Sequence, residues 1–143
     1  MNHNTSVLGL DIGKARVGVA KAIWPDGIAS PFSVLANDPK LIDNLRVIVA
    51  QENVTIIVAG LPRSLKGEDT NQTRYSKKLA DELGEKLKLK IYFQDEAVTS
   101  LKAEEELKST GRAYSKSDID VLSAVYILED FLKDHQSKGT GLE

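Results

Sequence analysis

Val7-Leu8-Gly9-Leu10-Asp11-Ile12-Gly13 is an apolar run of strand length with one carboxylate inside it. Such runs form strands buried on both faces. An ionised Asp placed there without compensation is costly. The usual outcomes are a raised pKa, an ion pair or a bound cation. Asp11 therefore calls for a partner elsewhere in the chain. The plainer alternative is an Asp at a strand end that hydrogen-bonds the turn Gly13-Lys14-Ala15.

Downstream of that run, Arg16 to Trp24 reads as a second strand built on Val17, Val19, Ala20 and Ile23. The short connection Gly13-Lys14-Ala15 implies an antiparallel hairpin. Pro25-Asp26-Gly27 is a turn signal, and Ile28 to Leu35 is a third strand. Pro31 within it predicts a sheet edge or a bulge. Asp38 and Pro39 suit the cap and first turn of a helix whose apolar stripe is Leu41, Ile42, Leu45, Ile48 and Val49. Val54 to Ala59 is nearly all apolar, hence central and parallel, and Gly60-Leu61-Pro62 is expected to end it.

A polar loop with Arg63, Ser64, Lys66, Gly67, Glu68 and Asp69 follows. Thr70 or Asn71 caps a second helix carrying Tyr75, Leu79, Leu83 and Leu87. Leu89 to Gln94 is a fifth strand leading into Asp95-Glu96. Thr99 or Ser100 caps a third helix with Leu101, Ala103 and Leu107, broken at Gly111. A polar loop, Arg112 to Lys116, precedes a last helix from about Ser117 to Leu132. The order β-β-β-α-β-α-β-α-α predicts an α/β protein. Its mixed five-stranded sheet has a three-strand antiparallel meander, then parallel strands, with helices on both faces. One domain is expected over residues 1–135, with His135 onward unpacked apart from Leu142 and a flexible tail over 136–143.

Composition narrows the chemistry. The 143 residues carry a net charge of −2, so nucleic-acid binding would have to come from local basic loops. The absence of cysteine excludes disulfides and thiolate metal sites. His3 and His135 lie near the ends of the sequence, which argues against a histidine zinc site or a histidine general base. Met1 to Ser6 is polar and precedes an apolar run too short for a signal peptide, and no run reaches membrane-spanning length. A cytoplasmic protein with no membrane partner is expected.

Among 21 acidic residues, most belong to solvated helix faces such as Glu104-Glu105-Glu106. Asp11 is one exception. Asp95 and Glu96 follow a strand, where ligands of parallel sheets gather, and adjacent acids point to opposite sides. They could instead cap the third helix. On the last helix, Val121, Ala124, Leu128, Phe131 and Leu132 define the core face; Asp120 borders it while Asp118 points away. Ser117-x-x-Asp120 could also be a weak capping box. Acids converging from separate elements would bind a hard cation, Mg²⁺ or Mn²⁺. Such ions, in pairs roughly 4 Å apart, serve phosphodiester hydrolysis. Lys14, Arg16, Arg63, Lys66, Arg112 and Lys116 lie on or beside the loops that would meet the phosphates.

Leu10-Asp11-Ile12-Gly13-x-x-Arg16-x-Gly18-Val19-Ala20, Gly60-Leu61-Pro62, Asp95-Glu96 and Asp120-x-x-Ser123-Ala124-x-x-Ile127-Leu128 together resemble the YqgF family, also called RuvX. The resemblance spans about residues 7–132 in the same order. It implies an RNase H-like fold, and pre-16S rRNA nuclease activity or Holliday-junction resolution. It further implies that Asp11, Glu96 and Asp120 are the catalytic, metal-binding acids, with phosphate handling by Arg63, Ser64 and Lys66. Two departures stand out: Ala97 occupies the place of the family's Arg in Asp-Glu-Arg, and the loop Gly111 to Lys116 is less basic than usual. Tyr114 in that loop could stack on an unpaired base.

Four functions compete. The first is a metal-dependent endonuclease acting on precursor 16S rRNA, as a monomer or homodimer. The second is a junction-resolving DNase on branched DNA, which needs a dimer. The third is a nucleotide-binding relative of the actin and hexokinase-like ATPases, which need two copies of this fold where 143 residues hold one. The fourth is a non-catalytic nucleic-acid-binding module.

Overall fold

The computed structural model describes residues 5–25, 27–96 and 99–137, the side chains of 99, 100, 136 and 137 excepted. Three strands open the chain: β1 (Thr5–Ile12), β2 (Arg16–Trp24) and β3 (Ser30–Ala36). Then come α1 (Leu41–Glu52), β4 (Val54–Pro62), α2 (Asn71–Leu87), β5 (Lys90–Glu96), α3 (Thr99–Ser109) and α4 (Lys116–Ser137). The sheet order is β3-β2-β1-β4-β5. β1, β2 and β3 are antiparallel neighbours, and β4 and β5 run parallel to β1. This is the mixed sheet expected from the element order. Pro31 sits on edge strand β3, where the β2–β3 register also shifts, so its missing N–H leaves no interior ladder bond unmade.

Strand alternation sorts side chains onto two faces. Leu8, Leu10, Ile12, Val17, Val19, Ile57 and Ala59 pack against the apolar stripes of α1 and α2, including Leu41, Leu45, Ile48 and Leu83. Val7, Ala20, Ala22, Ile56 and Val58 pack against α4 through Ala124, Val125, Ile127, Leu128 and Phe131.

α4 lies unusually close to the sheet because glycines line its path. A side chain at Gly9 would meet the Leu128 Cβ at 2.8 Å, one at Gly60 would collide with Ile127, and one at Gly18 would overlap the Asp120 backbone carbonyl. These glycines sit on β1, β4 and β2, so the helix crosses three neighbouring strands over a floor without Cβ atoms.

Several local expectations differ from the structure. Asp38 does not cap α1: Lys40 holds that position without a side-chain cap. Asp38 instead accepts the Lys40 N–H at 2.9 Å in the turn before the helix, a role Asp takes readily beside Pro. Gly60-Leu61-Pro62 does not end β4, since pairing with β5 continues to Pro62↔Glu96. A pairing partner on one side is enough to keep such residues in a strand. Leu101 is 56% exposed, whereas Ala103 is buried. α4 runs on to Ser137, because the His135 ring packs on Phe131 at 3.9 Å between centroids and stacks on Tyr92. The residues expected as caps of α3, Thr99 and Ser100, have side chains outside the described set, and Ala97 and Leu142 also lie outside it.

Candidate active site

Asp11 and Asp120 are brought together by backbone placement. Leu10 faces α1 and α2, so by alternation Asp11 faces α4. Asp11 pairs with Gly18 across the β1–β2 ladder, and Gly18 lies directly under the Asp120 backbone. The absence of a side chain at Gly18 is what lets the two carboxylates approach. Burial raises the Asp11 pKa from 3.8 to about 7, and the Asp120 charge adds to the rise. Asp120 is held by Arg16, whose Nε donates to its Oδ2 at 2.6 Å. Arg16 begins β2 and reaches across to α4, so this ion pair joins strand to helix at the mouth of the site.

The loop beyond β1 is braced from the opposite face. Gln72 Nε2 donates to the Ile12 carbonyl at 3.0 Å, and Ser76 Oγ donates to it at 3.4 Å. Asn37 Nδ2 donates to the Gly13 carbonyl at 2.7 Å and to Tyr75 Oη at 2.9 Å. These bonds satisfy carbonyls at the strand end and fix the segment that carries Asp11. Sequence reading missed Asn37, Gln72 and Ser76, because polar residues on helix and loop surfaces carry no sequence mark of what they bond.

Glu96 occupies the same side of the sheet but a different part of α4. Tyr92 packs with the α4 cluster, so Gln94 and Glu96 follow it by alternation, and Asp95 turns away. Glu96 hydrogen-bonds Asp130. Its pKa is raised, first by burial, then by that bond and the Asp130 charge; Lys102 opposes the rise and Asp134 adds to it. Asp120 and Asp130 are ten residues apart, about 15 Å along a helix. The structure therefore joins Asp11 to Asp120 and Glu96 to Asp130, and does not gather the three expected acids into one cluster. Among the described residues, no group of three His, Cys, Asp or Glu side chains is placed to hold one metal ion. Asp130 was missed in the sequence, though a signal existed. Asp120, Ser123, Ile127, Asp130 and Asp134 recur at alternating spacings of three and four, which is one line along a helix.

The remaining expected residues divide between internal pairing and exposure. Arg63 donates to Asp95 Oδ1 at 3.0 and 3.1 Å and pairs with Asp69. Ser64 Oγ accepts the Lys66 and Glu68 N–H groups, at 3.3 and 3.0 Å. Lys66, Arg112 and Lys116 are exposed, as is Lys14, whose Nζ stands 5.9 Å from the Tyr75 ring centre. The capping box of α4 is Ser115-x-x-Asp118, with reciprocal bonds of 2.8 and 3.2 Å. That releases Asp120 from the capping role considered for it. Two of the glutamates expected to be merely solvated are tied down: Glu104 accepts from Tyr114 Oη at 3.1 Å and Glu106 from Tyr126 Oη at 2.6 Å.

The donor set is compatible with a hard divalent cation. Asp11 and Asp120 offer close carboxylates whose mutual repulsion raises the Asp11 pKa, and a cation would relieve it. Glu96 Oε1 is also buried without a hydrogen-bond partner, but it lies with Asp130 and outside this pair.

Comparison with known proteins follows the same lines. A family profile described as "RuvX: Holliday junction resolvase" matches residues 5–134. A protein of Sulfurihydrogenibium sp. named "Putative pre-16S rRNA nuclease" is 40% identical over 129 residues, 88% of each chain. A protein of the same name from Maridesulfovibrio salexigens is 39% identical over 130 residues, 88% of this chain and 96% of that one. Among solved structures, RuvC of Thermus thermophilus in complex with a Holliday junction substrate superposes with a TM-score of 0.58 at 10% identity. The match covers 96% of this chain and 99% of that one. At that identity the likeness speaks for the fold, which is RNase H-like.

Proposed function

The chain belongs to the RuvX (YqgF) family, and from that premise we propose that it is a divalent-metal-dependent endonuclease acting on structured RNA, at the 5′ end of precursor 16S rRNA. The observation that carries the proposal is the Asp11–Asp120 pair seated over Gly18. Two carboxylates gain nothing in stability from this proximity, so the arrangement fits a task. Asp11 and Asp120 would hold Mg²⁺ or Mn²⁺, while Glu96 sits with Asp130 apart from that pair. When bound, the ion supplies an activated water and charge neutralisation at the phosphate.

The chain's own residues do the rest. Arg16 fixes the Asp120 carboxylate with a charge-assisted bond. The brace from Asn37, Gln72 and Ser76 holds the Asp11 loop. Lys14, Lys66, Arg112 and Lys116 are exposed cations suited to backbone phosphates.

The test is cleavage of a precursor 16S rRNA fragment with Mg²⁺ or Mn²⁺, wild type against Asp11→Asn. Cleavage by wild type alone is expected. Equal cleavage by both, or none by a folded wild type, overturns the proposal. A four-way DNA junction run in parallel, with sedimentation of the complex, distinguishes the resolvase reading, which requires cutting by a dimer.

A further inference from the structure

The segment between β4 and α2 is a rigid finger with an apolar tip. Its sides are joined by a bridge between Arg63 and Asp69. Ser64 N–H donates to the Glu68 carbonyl at 3.0 Å, and Gly67 N–H to the Ser64 carbonyl at 2.8 Å. Ser64 Oγ accepts two further N–H groups across the turn. Gly67 adopts φ +79°, the left-handed conformation that closes the turn. The root is equally fixed: the Arg63 N–H donates to the Glu96 carbonyl at 3.0 Å, its guanidinium is paired with Asp95 and Asp69, and Thr73 Oγ1 donates to the Pro62 carbonyl.

At the tip stands Leu65, 86% exposed, with exposed Lys66 beside it. A hydrogen-bonded turn cannot fold this leucine back onto the protein. Ile28, at 83%, is comparably exposed, but it precedes β3 at the end of the sheet away from the acids. Leu65 stands on the rim where β1, β4 and β5 end and where Asp11 and Glu96 lie. Isolated surface leucines are ordinary; a leucine presented on a braced finger next to a carboxylate rim is not. Proteins that distort nucleic acid use this chemistry, inserting apolar side chains such as Leu between bases while neighbouring cations meet phosphates.

We propose that the 63–69 finger is an RNA wedge: Leu65 lodges against a base that it unstacks next to the bond to be cut, and Lys66 meets the adjoining phosphate. This rests on the nuclease reading and adds how a paired substrate is opened for it. The experiment uses precursor 16S rRNA stems carrying 2-aminopurine at successive positions, bound by the full chain with Asp11→Asn to prevent cleavage.

One position is expected to brighten several-fold on binding. Adding Leu65→Ala abolishes the brightening, and Leu65→Met keeps it. In the otherwise wild-type chain, Leu65→Ala lowers kcat/KM on the paired stem about tenfold, and a mismatch placed at the brightened position restores it. Binding with no brightening, or brightening indifferent to Leu65→Ala, overturns the wedge and leaves the nuclease reading standing. Absence of RNA binding by the folded wild-type protein overturns both.

Discussion

The two faces of the sheet are built on opposite rules. Toward α1 and α2 the strands present Leu8, Leu10, Ile12, Val17, Val19 and Ile57, and the layer is filled with aliphatic volume. Toward α4 they present Gly9, Gly18 and Gly60 along the path of the helix, and the layer is thin there. The second face also carries Asp11, Glu96, Asp120 and Asp130. One face maximises apolar burial. The other gives up side-chain volume so that a helix can bring acids down onto strands, and it tolerates burial and repulsion that raise the pKa values of Asp11 and Glu96. Stability and chemistry are thus divided between two sides of one sheet.

Substitutions can break or sharpen that division. The largest effect is expected at Gly18→Val. Its side chain has no space under the Asp120 carbonyl, so α4 must lift, at more than about 3 kcal/mol; circular dichroism melts should show loss of the cooperative transition, and cleavage should vanish. Leu10→Ala on the other face should cost about 2–5 kcal/mol in a denaturant melt, yet leave the cleavage rate per folded molecule unchanged. A large rate loss there, with the fold intact, would erase the distinction between the faces.

Asp11→Asn tests the electrostatic cost directly. In the metal-free protein, Asp11 binds its proton more tightly folded than unfolded, with a pKa of about 7 against 3.8. Its contribution is therefore fully present below pH 4 and is lost as pH rises through 7. Tm should fall by several degrees between pH 5.5 and 8 in wild type and by less in Asp11→Asn. Mg²⁺ or Mn²⁺ should raise the wild-type Tm at pH 8 and leave that of the variant nearly unmoved.

Arg16→Met removes the brace on Asp120. Cleavage should drop about 10–100-fold, and a metal titration should show weaker affinity, while stability changes by less than about 1 kcal/mol. The smallest effect belongs to Asp95→Asn, at the exposed Arg63 pair: well under 1 kcal/mol in a thermal melt.

The element order was legible because the hydrophobic period changes plainly along the chain. β2 begins and ends where its alternation does, at Arg16 and Trp24, and Pro31 marked its strand as peripheral. Asp120 was legible as an inward acid because it borders a clean apolar stripe. The α4 cap was not: Ser115-x-x-Asp118 and Ser117-x-x-Asp120 have equal claims in one dimension, and only the position of the first helical turn separates them. The pairing of Glu96 with Asp130 was likewise hidden, since it depends on the angle at which α4 crosses the sheet.

Sequence alone determined the strands, the helices, their order and the inward lean of Asp11 and Asp120, because those follow from local periodicity and from the cost of burying charge. The tertiary structure alone decided which acids meet. That depends on three glycines on neighbouring strands, which let one helix settle close to the sheet at a particular angle. Local pattern carries no record of interlayer distance, and distance is what turns separate carboxylates into a site.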